Sequence, residues 1–251
     1  MTLDIITSPL LAPLRHGFFG RRGGASSGVF AGLNCGYGSS DQHEAVTINR
    51  HRVAAALQVE PDALIGVHQV HSADVVTVVN PTAPLPKADA LVTALPGLAL
   101  SILTADCQPV LFADPVAGVI GAAHAGWKGT LSGVLEATVA AMAGLGARRA
   151  DIRAVIGPSI SQRAYEVGPE FFETVLAGDS GAARFFAMGQ DDRMQFDLPG
   201  YGLYRLRLAG VGQAEWTRHC TYSDSERFFS YRRSVHAKEA DYGRLMSAIT
   251  I

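Results

Sequence analysis

Cysteine, excess charge and long apolar runs are all scarce in this chain of 251 residues. Its three cysteines, Cys35, Cys107 and Cys220, are an odd and widely spaced set, which argues against a disulfide scaffold and indicates a reducing, cytoplasmic compartment. The net charge of −2 and the short arginine pairs exclude the basic stripe of a nucleic-acid-binding surface. No stretch approaches about 18 uncharged apolar residues, the length of a membrane span, and no apolar signal segment opens the chain.

The composition otherwise suits one globular domain with a large core. Apolar residues make up 48% of the chain, and no internal repeat or low-complexity tract divides it. The proline-rich stretch 80–87 is too short for an interdomain linker, and we interpret it as a surface loop. The sequence therefore predicts a single domain over residues 1–251.

Strand-like and helix-like patterns mix along the chain without a strict strand–helix alternation, which favours an α+β (mixed α/β) fold with a mixed sheet and outer helices. The segment 220–233 is predicted as a turn and a strand, and 243–249 as a final short element. The predicted strands are 64–70, 75–79, 90–93, 98–103, 110–113, 119–123 and 152–156, and the predicted helices are 41–57, 129–142, 169–176 and 203–208.

The stretch TADCQPVLFADPVAGVIGAAHAG, residues 104–126, places a cysteine and a histidine near the two ends of a predicted hairpin. If 114–117 is a four-residue loop, Cys107 lies opposite His124 on one face of the hairpin. Facing Cβ atoms lie about 4.5–5.5 Å apart, so the thiolate and imidazole are able to share a zinc ion or to form a nucleophile–base pair. A packed core cysteine is the structural alternative.

A third ligand comes from the stretch GVHQVHSADVV, which contains His68 and His71. Residues three apart face opposite sides of a strand, so at most one of the two histidines joins the site. His71 adjoins a break between two apolar runs, whereas His68 lies inside a run. The predicted set is therefore His71, Cys107 and His124, which leaves zinc a fourth position for water, as in catalytic zinc sites.

Ordered motifs along nearly the whole chain resemble the laccase-domain family, also called the multicopper-polyphenol-oxidase-like or YfiH-type family. The motifs are HGFFGRRGGASSG, LNCG, HQVHSADVV, ADALVT, TADCQPVLFADP, AAHAGWKGT, IGPSI, YEVGPEF and FFSYRR. The resemblance implies a four-layer α/β/β/α fold, shared with toxins of the cytotoxic necrotizing factor type. It also implies metal ligands at His71, Cys107 and His124. Ser72 departs from the pattern, because the family usually has glycine there.

The resemblance further implies a zinc-dependent purine nucleoside phosphorylase. Such an enzyme cleaves adenosine, inosine, guanosine and methylthioadenosine with phosphate and also deaminates some adenosine. For this reaction we predict substrate contacts by Arg21, whose glycine-rich loop offers an anion nest, and by Arg233. Trp127 is a candidate for stacking on the base. Asp106 is a candidate for orienting a metal ligand or accepting a proton.

Three other functions stay open at this point. One is a metal-free hydrolase or amidase that uses Cys107 and His124 as nucleophile and base, including a role in editing cell-wall precursors. Another is copper-dependent phenol oxidation, but one cysteine and a few histidines cannot hold the four coppers of a multicopper oxidase. Copper would instead occupy the zinc site, since it binds such ligands more tightly. The third is a structural zinc protein, which requires a fourth protein ligand.

Overall fold

The computed structural model of the chain describes residues 2–80 and 86–251. Of the loop predicted at 80–87, residues 81–85 lie outside the described residues. The strands are β1 (Ile5–Ile6), β2 (Arg15–Phe19), β3 (Leu64–Gly66), β4 (Val75–Thr77), β5 (Ala90–Thr93), β6 (Ala99–Thr104), β7 (Gln108–Asp114), β8 (Val119–Ala125), β9 (Arg153–Ile156), β10 (Glu166–Val167), β11 (Phe186–Met188), β12 (Met194–Phe196), β13 (Gln213–Trp216) and β14 (Leu245–Thr250). The α-helices are α1 (His43–Leu57), α2 (Trp127–Ser132), α3 (Val134–Gly144), α4 (Pro169–Gly178), α5 (Leu198–Leu208) and α6 (Tyr231–Ala237).

Two large sheets carry the fold, and both contain parallel and antiparallel neighbours. The five-stranded sheet has the order β1-β2-β14-β6-β3, and the six-stranded sheet has the order β13-β9-β7-β8-β5-β4. Strand β3 pairs with β6, β4 with β5 and β13 with β9 in parallel, whereas β7 and β8 form an antiparallel hairpin. The mixed sheets expected from the sequence are confirmed.

Strand β7 explains why the central strands are apolar throughout. Leu111 and Ala113 pack into a core between the two large sheets. Val110 and Phe112 alternate with them and pack on the opposite face, together with Val139 of α3 and other residues of α3 and α5. A strand that is covered on both faces needs apolar residues at every position.

Helix α1 covers the outer face of the five-stranded sheet. Its Val53 and Leu57 share a core with Ala99 of β6 and Ala248 of β14. The layers are therefore α1, the five-stranded sheet, the six-stranded sheet, and α3 with α5. The four-layer α/β/β/α arrangement is confirmed, and it leaves the strand ends free to carry a site.

A small three-stranded sheet, β10-β12-β11, was not predicted from the sequence. It packs with α4 around a separate aromatic core, in which Phe196 and Tyr201 are fully buried. Its strands are two or three residues long. Segments this short have no readable alternation of apolar and polar residues.

Two helix predictions need correction in their bounds. The single helix predicted at 129–142 is divided into α2 and α3, because Gly133 between them has a left-handed φ of 96°. The helix predicted at 203–208 begins at Leu198, where the Asp197 side chain accepts a hydrogen bond from Gly200 N and caps the first turn.

Two further local predictions are wrong. The segment 220–233 contains turns and then the start of α6 rather than a strand, with Ser230 as the helix N-cap. The helix predicted at 41–57 begins at His43 instead of Asp41, because Gln42 is the N-cap of α1, without a side-chain hydrogen bond. The Asp41 carboxylate instead accepts a hydrogen bond from Asn34 Nδ2 at 2.9 Å.

Candidate metal centre

Three side chains from separate segments of the chain form one cluster: His71, Cys107 and His124. Their ligand atoms all lie within 4.8 Å of one another. Cys107 Sγ lies 4.0 Å from His71 Nε2, and the rings of His71 and His124 meet edge to face with centroids 4.6 Å apart. His124 is buried at 4% exposure, whereas His71 is exposed. The cluster therefore has one closed side and one side open to ligands.

The register of the β7–β8 hairpin differs from the prediction by two residues. Pro109, not Cys107, lies opposite His124, and Asp114 pairs with Val119. The turn begins one residue later than expected, because the Asp114 carboxylate accepts hydrogen bonds from the N–H groups of the turn residues Val116 and Ala117. Cys107 consequently lies just before β7 begins and meets His124 diagonally.

His71 lies in a loop, so the strand-parity argument of the sequence analysis does not apply to it. Strand β3 ends at Gly66 instead of residue 70, so residues 67–74 form a loop. Within this loop His71 has a φ of 61°, a left-handed conformation that is uncommon outside glycine. His68 is not in the cluster, but the parity argument that excluded it is wrong, because neither histidine lies in a strand.

Asp89 holds both histidines in place. Its Oδ1 accepts a hydrogen bond from His124 Nδ1 at 2.7 Å. Its Oδ2 accepts hydrogen bonds from the backbone N–H groups of Val70 at 3.1 Å and Ser72 at 2.5 Å, which flank His71. With Nδ1 donating to the carboxylate, the Nε2 lone pair of His124 is available to a metal ion, which is the usual arrangement around ligating histidines.

The electrostatics of the cluster favour a charged sulfur. Burial raises the pKa of the Cys107 thiol, but the neighbouring His124 and His71 outweigh this effect and hold the pKa below its usual value. Burial lowers the pKa of His124, but the Cys107 sulfur and the Asp89 carboxylate raise it above its usual value. Thiolate is the form of cysteine that binds metal and the form that attacks as a nucleophile.

The donor set and the space around it fit a zinc ion. Bonds of about 2.3 Å to sulfur and about 2.0 Å to nitrogen place tetrahedral ligand atoms roughly 3.3–3.6 Å apart, so the observed gaps close with side-chain shifts of about 1 Å. A Cβ at Gly126 would lie 2.9 Å from Cys107 Sγ and 3.2 Å from His71 Cδ2. Glycine at position 126 therefore leaves space for the Cys107 sulfur and the His71 ring. Among the described residues no fourth histidine, cysteine or carboxylate joins the group.

Two cavities meet at the cluster. The first, of about 740 Å³, is lined by residues of the α1 side that include Arg50, Gly66 and Arg244. The second, of about 840 Å³, is lined by the aromatic residues of the α4 side, among them Trp127 and Tyr165. His71, Ala105, Cys107 and Tyr231 line both cavities. A ligand in either cavity thus reaches His71 and Cys107, whereas His124 lines the first cavity and not the second.

Asp106, which adjoins Cys107 in sequence, has a structural position. Its Oδ1 accepts a hydrogen bond from the Thr221 hydroxyl at 2.6 Å. Its Oδ2 accepts hydrogen bonds from the Ser230 hydroxyl at 2.9 Å and from Arg232 N at 2.6 Å. These bonds tie the segment before α6 to the cluster, and Asp89 rather than Asp106 orients the metal-ligating histidine.

Arg21 and Arg233 are not brought to the cluster. The Arg21 guanidinium donates to the carbonyls of Ala31 and Ser225 and lies 4.4 Å from the centre of the Phe229 ring. The Arg233 guanidinium donates to the carbonyls of Thr221, Tyr222 and Phe228. Neither arginine is among the residues that line the two cavities. Their predicted substrate contacts are therefore not supported by this geometry.

Trp127 lies in the wall of the second cavity. Its ring packs against Phe171 with centroids 4.7 Å apart, and Lys128 Nζ lies 5.5 Å from its centre. The ring thus belongs to the aromatic core of the small sheet and also borders the cavity. Both of the roles considered from the sequence, core packing and contact with a ligand, are compatible with this position.

Asp89 is the functional residue that the sequence analysis missed. It stands in the motif ADALVT, which contributed to the family resemblance without an assigned role. The available signal was an aspartate directly before an apolar strand. Asp89 is fully buried, and a buried aspartate is rare unless it is paired. The partner was not readable, because His124 lies 35 positions further along the chain.

Fold and site together define a mixed α/β protein with a His–Cys–His group that is able to bind metal. The model of a family described as multi-copper polyphenol oxidoreductase laccase matches residues 15–251. The chain therefore belongs to this laccase-like family.

Two relatives and two solved structures show how close this relationship is. A Deinococcus radiodurans protein named purine nucleoside phosphorylase is 44% identical over 93% of this chain and 88% of its own length. The Escherichia coli purine nucleoside phosphorylase YfiH is 39% identical over 85% of this chain and 86% of its own length. A Neisseria meningitidis crystal structure superposes with a TM-score of 0.89 at 33% identity, covering 100% of this chain and 99% of that one. Geobacillus stearothermophilus YlmD gives a TM-score of 0.86 at 28% identity, covering 97% of this chain and 93% of that one.

Among residues 2–80 and 86–251, no helix is both long enough and apolar enough to span a bilayer.

Proposed function

We propose that the chain is a zinc-dependent purine nucleoside phosphorylase that takes adenosine, inosine, guanosine or methylthioadenosine together with phosphate in the cytoplasm. The observation that carries this proposal is the convergence of His71, Cys107 and His124 at the junction of two cavities. Two cavities meeting at one reactive centre suit a reaction between two substrates. The relatives' names, purine nucleoside phosphorylase, supply the substrate class.

In the proposed reaction a phosphate oxygen forms a bond to C1′ of the ribose while the bond from C1′ to the purine nitrogen breaks. The electron pair of the broken bond leaves with the purine, which takes up the proton that the hydrogen phosphate loses, and the products are ribose 1-phosphate and the free base. A zinc ion held by His71, Cys107 and His124 would supply Lewis-acid stabilisation of developing negative charge and would also suit deamination of adenosine.

The chain's own residues prepare the site for this chemistry. The Asp89 carboxylate fixes the His124 ring and both sides of the loop residue His71, so the ligands need little reorganisation when a metal ion binds. The second cavity has aromatic walls that include Trp127, Tyr165 and Phe171, which provide flat apolar surfaces for a purine.

A second candidate function is a metal-free hydrolase or amidase that uses Cys107 as its nucleophile. The lowered pKa of Cys107 and the raised pKa of His124 favour this alternative, because an imidazolium beside a thiolate is the activated state of a cysteine hydrolase. Any copper would have to use the same three ligands, because they are the one such group among the described residues.

The test is metal analysis of native protein followed by assays of purine nucleosides with and without phosphate. We expect about one zinc per chain, base release that requires phosphate, and loss of both metal and base release in Cys107→Ala. Full inosine cleavage by purified Cys107→Ala would overturn the metal-site mechanism. Activity in metal-free protein with a covalent inhibitor adduct at Cys107 would instead support the hydrolase.

A further inference from the structure

The charged residues that line the first cavity are all basic. Two arginines and three histidines line it, whereas no aspartate or glutamate does. The second cavity is different, because Asp106, Glu166 and Glu170 line it together with its basic residues. Of the two cavities, the first is therefore the one whose charge suits an anion.

Arg50 lies in the wall of the first cavity with most of its donors unused. Its Nη1 donates to the carbonyl of Cys35 at 3.3 Å, and no carboxylate of the described residues forms an ion pair with it. A Cβ at Gly66 would lie 4.0 Å from Arg50 Nη2, so this nitrogen lies beside the end of β3, where Gly66 also lines the cavity. A guanidinium has five N–H donors in a planar fork that matches the oxygens of phosphate.

Arg244 lies against the same turn of the chain as Arg50. A Cβ at Gly36 would lie 2.4 Å from Arg244 Cδ, so only glycine leaves room for the arginine side chain. The Arg244 carbonyl accepts a hydrogen bond from Cys35 N at 3.0 Å. Arg244 Nη1 donates to the Tyr242 carbonyl at 2.9 Å and lies 3.5 Å from Asp241, which orient this end of the guanidinium. The Asp241 carboxylate also accepts hydrogen bonds from Ser40 N and Tyr242 N and does not line the cavity.

A buried hydroxyl lies in the wall of this cavity. Thr104 is 3% exposed, and its Oγ1 has no hydrogen-bond partner among the described residues. It lines the first cavity, three positions before Cys107 in sequence. An unpaired buried hydroxyl is unfavourable, so such groups are normally paired with a protein group, water or ligand.

We propose that Arg50, Arg244 and Thr104 form the phosphate subsite, with the arginines binding the anion and the Thr104 hydroxyl donating to the oxygen nearest the cluster. This inference rests on the proposed function for naming phosphate as the co-substrate. The nucleoside then occupies the aromatic second cavity, and the two substrates meet at His71 and Cys107, which line both cavities. Arg21 and Arg233 take no part in this subsite, because neither of them lines the first cavity.

The kinetic test compares Arg50→Gln, Arg244→Gln and Thr104→Val with Arg148→Gln. Arg148 is the matched control, since its side chain is 79% exposed and pairs with Asp151 outside both cavities. Loss of a charge-assisted hydrogen bond raises KM for phosphate by about tenfold to a hundredfold. We expect this increase in the three cavity variants, with KM for the nucleoside changed less than about twofold. An unchanged KM for phosphate, or a raised KM for the nucleoside alone, would overturn the assignment.

Direct binding of inorganic phosphate separates this inference from the proposed function. Equilibrium dialysis with labelled phosphate needs no turnover, so it decides the question even if the wild-type protein cleaves no nucleoside. We expect binding by the wild type and by Cys107→Ala and its loss in Arg50→Gln and Arg244→Gln. Thermal unfolding checks that each variant is folded, and Thr104→Val gives the decisive comparison if an arginine variant is not. Binding that disappears in Cys107→Ala but survives in the arginine variants would place phosphate on the metal and reject the subsite.

Discussion

The Nδ1 atom of His124 lies 2.7 Å from Oδ1 of Asp89, and both side chains are almost completely buried. The same carboxylate binds the backbone on both sides of His71 through its other oxygen. One buried group thus determines the position of two of the three candidate metal ligands. Burial raises the pKa of Asp89, but the hydrogen bonds from His124, Ser72 and Val70 outweigh it, so the pKa lies well below its usual value and the carboxylate stays charged at neutral pH.

Replacing Asp89 with asparagine is expected to weaken metal binding. The amide keeps the size of the side chain but removes the charge that orients His124, and loss of such a partner typically lowers metal affinity about 10–100-fold. Competition with a chromophoric chelator measures this change. Asp74→Asn is the matched control, because Asp74 is an exposed carboxylate of the same loop. Equal zinc affinities in wild-type and Asp89→Asn protein would contradict the positioning role.

Gly126→Ala is expected to disrupt the cluster while leaving the fold intact. The added methyl group would lie 2.9 Å from Cys107 Sγ, which must then move away from His71. Zinc content and base release should both fall, whereas the far-ultraviolet circular dichroism spectrum should not change. Gly144→Ala is the control, since a Cβ there meets nothing within 4 Å. A Gly126→Ala protein with full zinc content would show that the sulfur is not a required ligand.

In metal-free protein, Cys107 should react with iodoacetamide at lower pH than an ordinary thiol. Its pKa is lowered mainly by His124 and His71 against the effect of burial, so the reactive thiolate persists to lower pH. The rate should reach half its plateau clearly below pH ~8.5, the usual thiol pKa, and zinc should protect the residue. The measurement uses a Cys220→Ser background, because Cys220 is only partly buried.

Cys35 is the internal control for this alkylation. It is fully buried, and burial raises its pKa to about 12, so it should remain unmodified until the protein unfolds. Mass spectrometry of the peptides distinguishes the sites. Alkylation of Cys107 that follows the pH profile of an ordinary thiol, or that zinc does not slow, would contradict the cluster electrostatics.

Asp106→Asn is expected to reduce stability without removing the metal. Three donors bind the two carboxylate oxygens of Asp106: Thr221, Ser230 and Arg232 N. The amide nitrogen of asparagine cannot accept a hydrogen bond, so a buried donor loses its partner. The free energy of unfolding should fall by about 1–3 kcal/mol. Denaturant titration and metal analysis measure the two effects. Asp62→Asn, at an exposed carboxylate, serves as control. If Asp106→Asn lost zinc while its stability stayed unchanged, Asp106 would instead orient a metal ligand.

The sequence predicted the central sheets well, because strands buried on both faces are apolar at each position and read as continuous runs. It predicted the partners of the cluster for a different reason, since cysteine and histidine are chemically distinctive and each lies where an apolar run ends. The same reasoning placed Cys107 directly opposite His124 and was wrong by two residues. The turn begins after Asp114, because the carboxylate of this last residue of β7 accepts hydrogen bonds from two N–H groups of the turn.

Arg21 and Arg233 mark the limit of sequence reasoning about the substrate. An arginine in a glycine-rich loop suggests an anion site, but backbone carbonyls distant in sequence engage both guanidinium groups. Arg50, inside a helix, and Arg244, just before the last strand, carried no such pattern. They line the first cavity because both contact Cys35, which donates its N–H to the Arg244 carbonyl and accepts from Arg50 Nη1 at its own carbonyl.

The sequence by itself determined the mixed α/β class, the absence of a disulfide framework and the identity of the three metal-ligand candidates, since these depend on residue type and local patterns. Tertiary structure alone decided that Asp89 orients them, that two cavities meet at them, and which arginines face a cavity. Those relationships join residues far apart along the chain, and side-chain direction at such distances is set by packing and burial rather than by neighbouring residues.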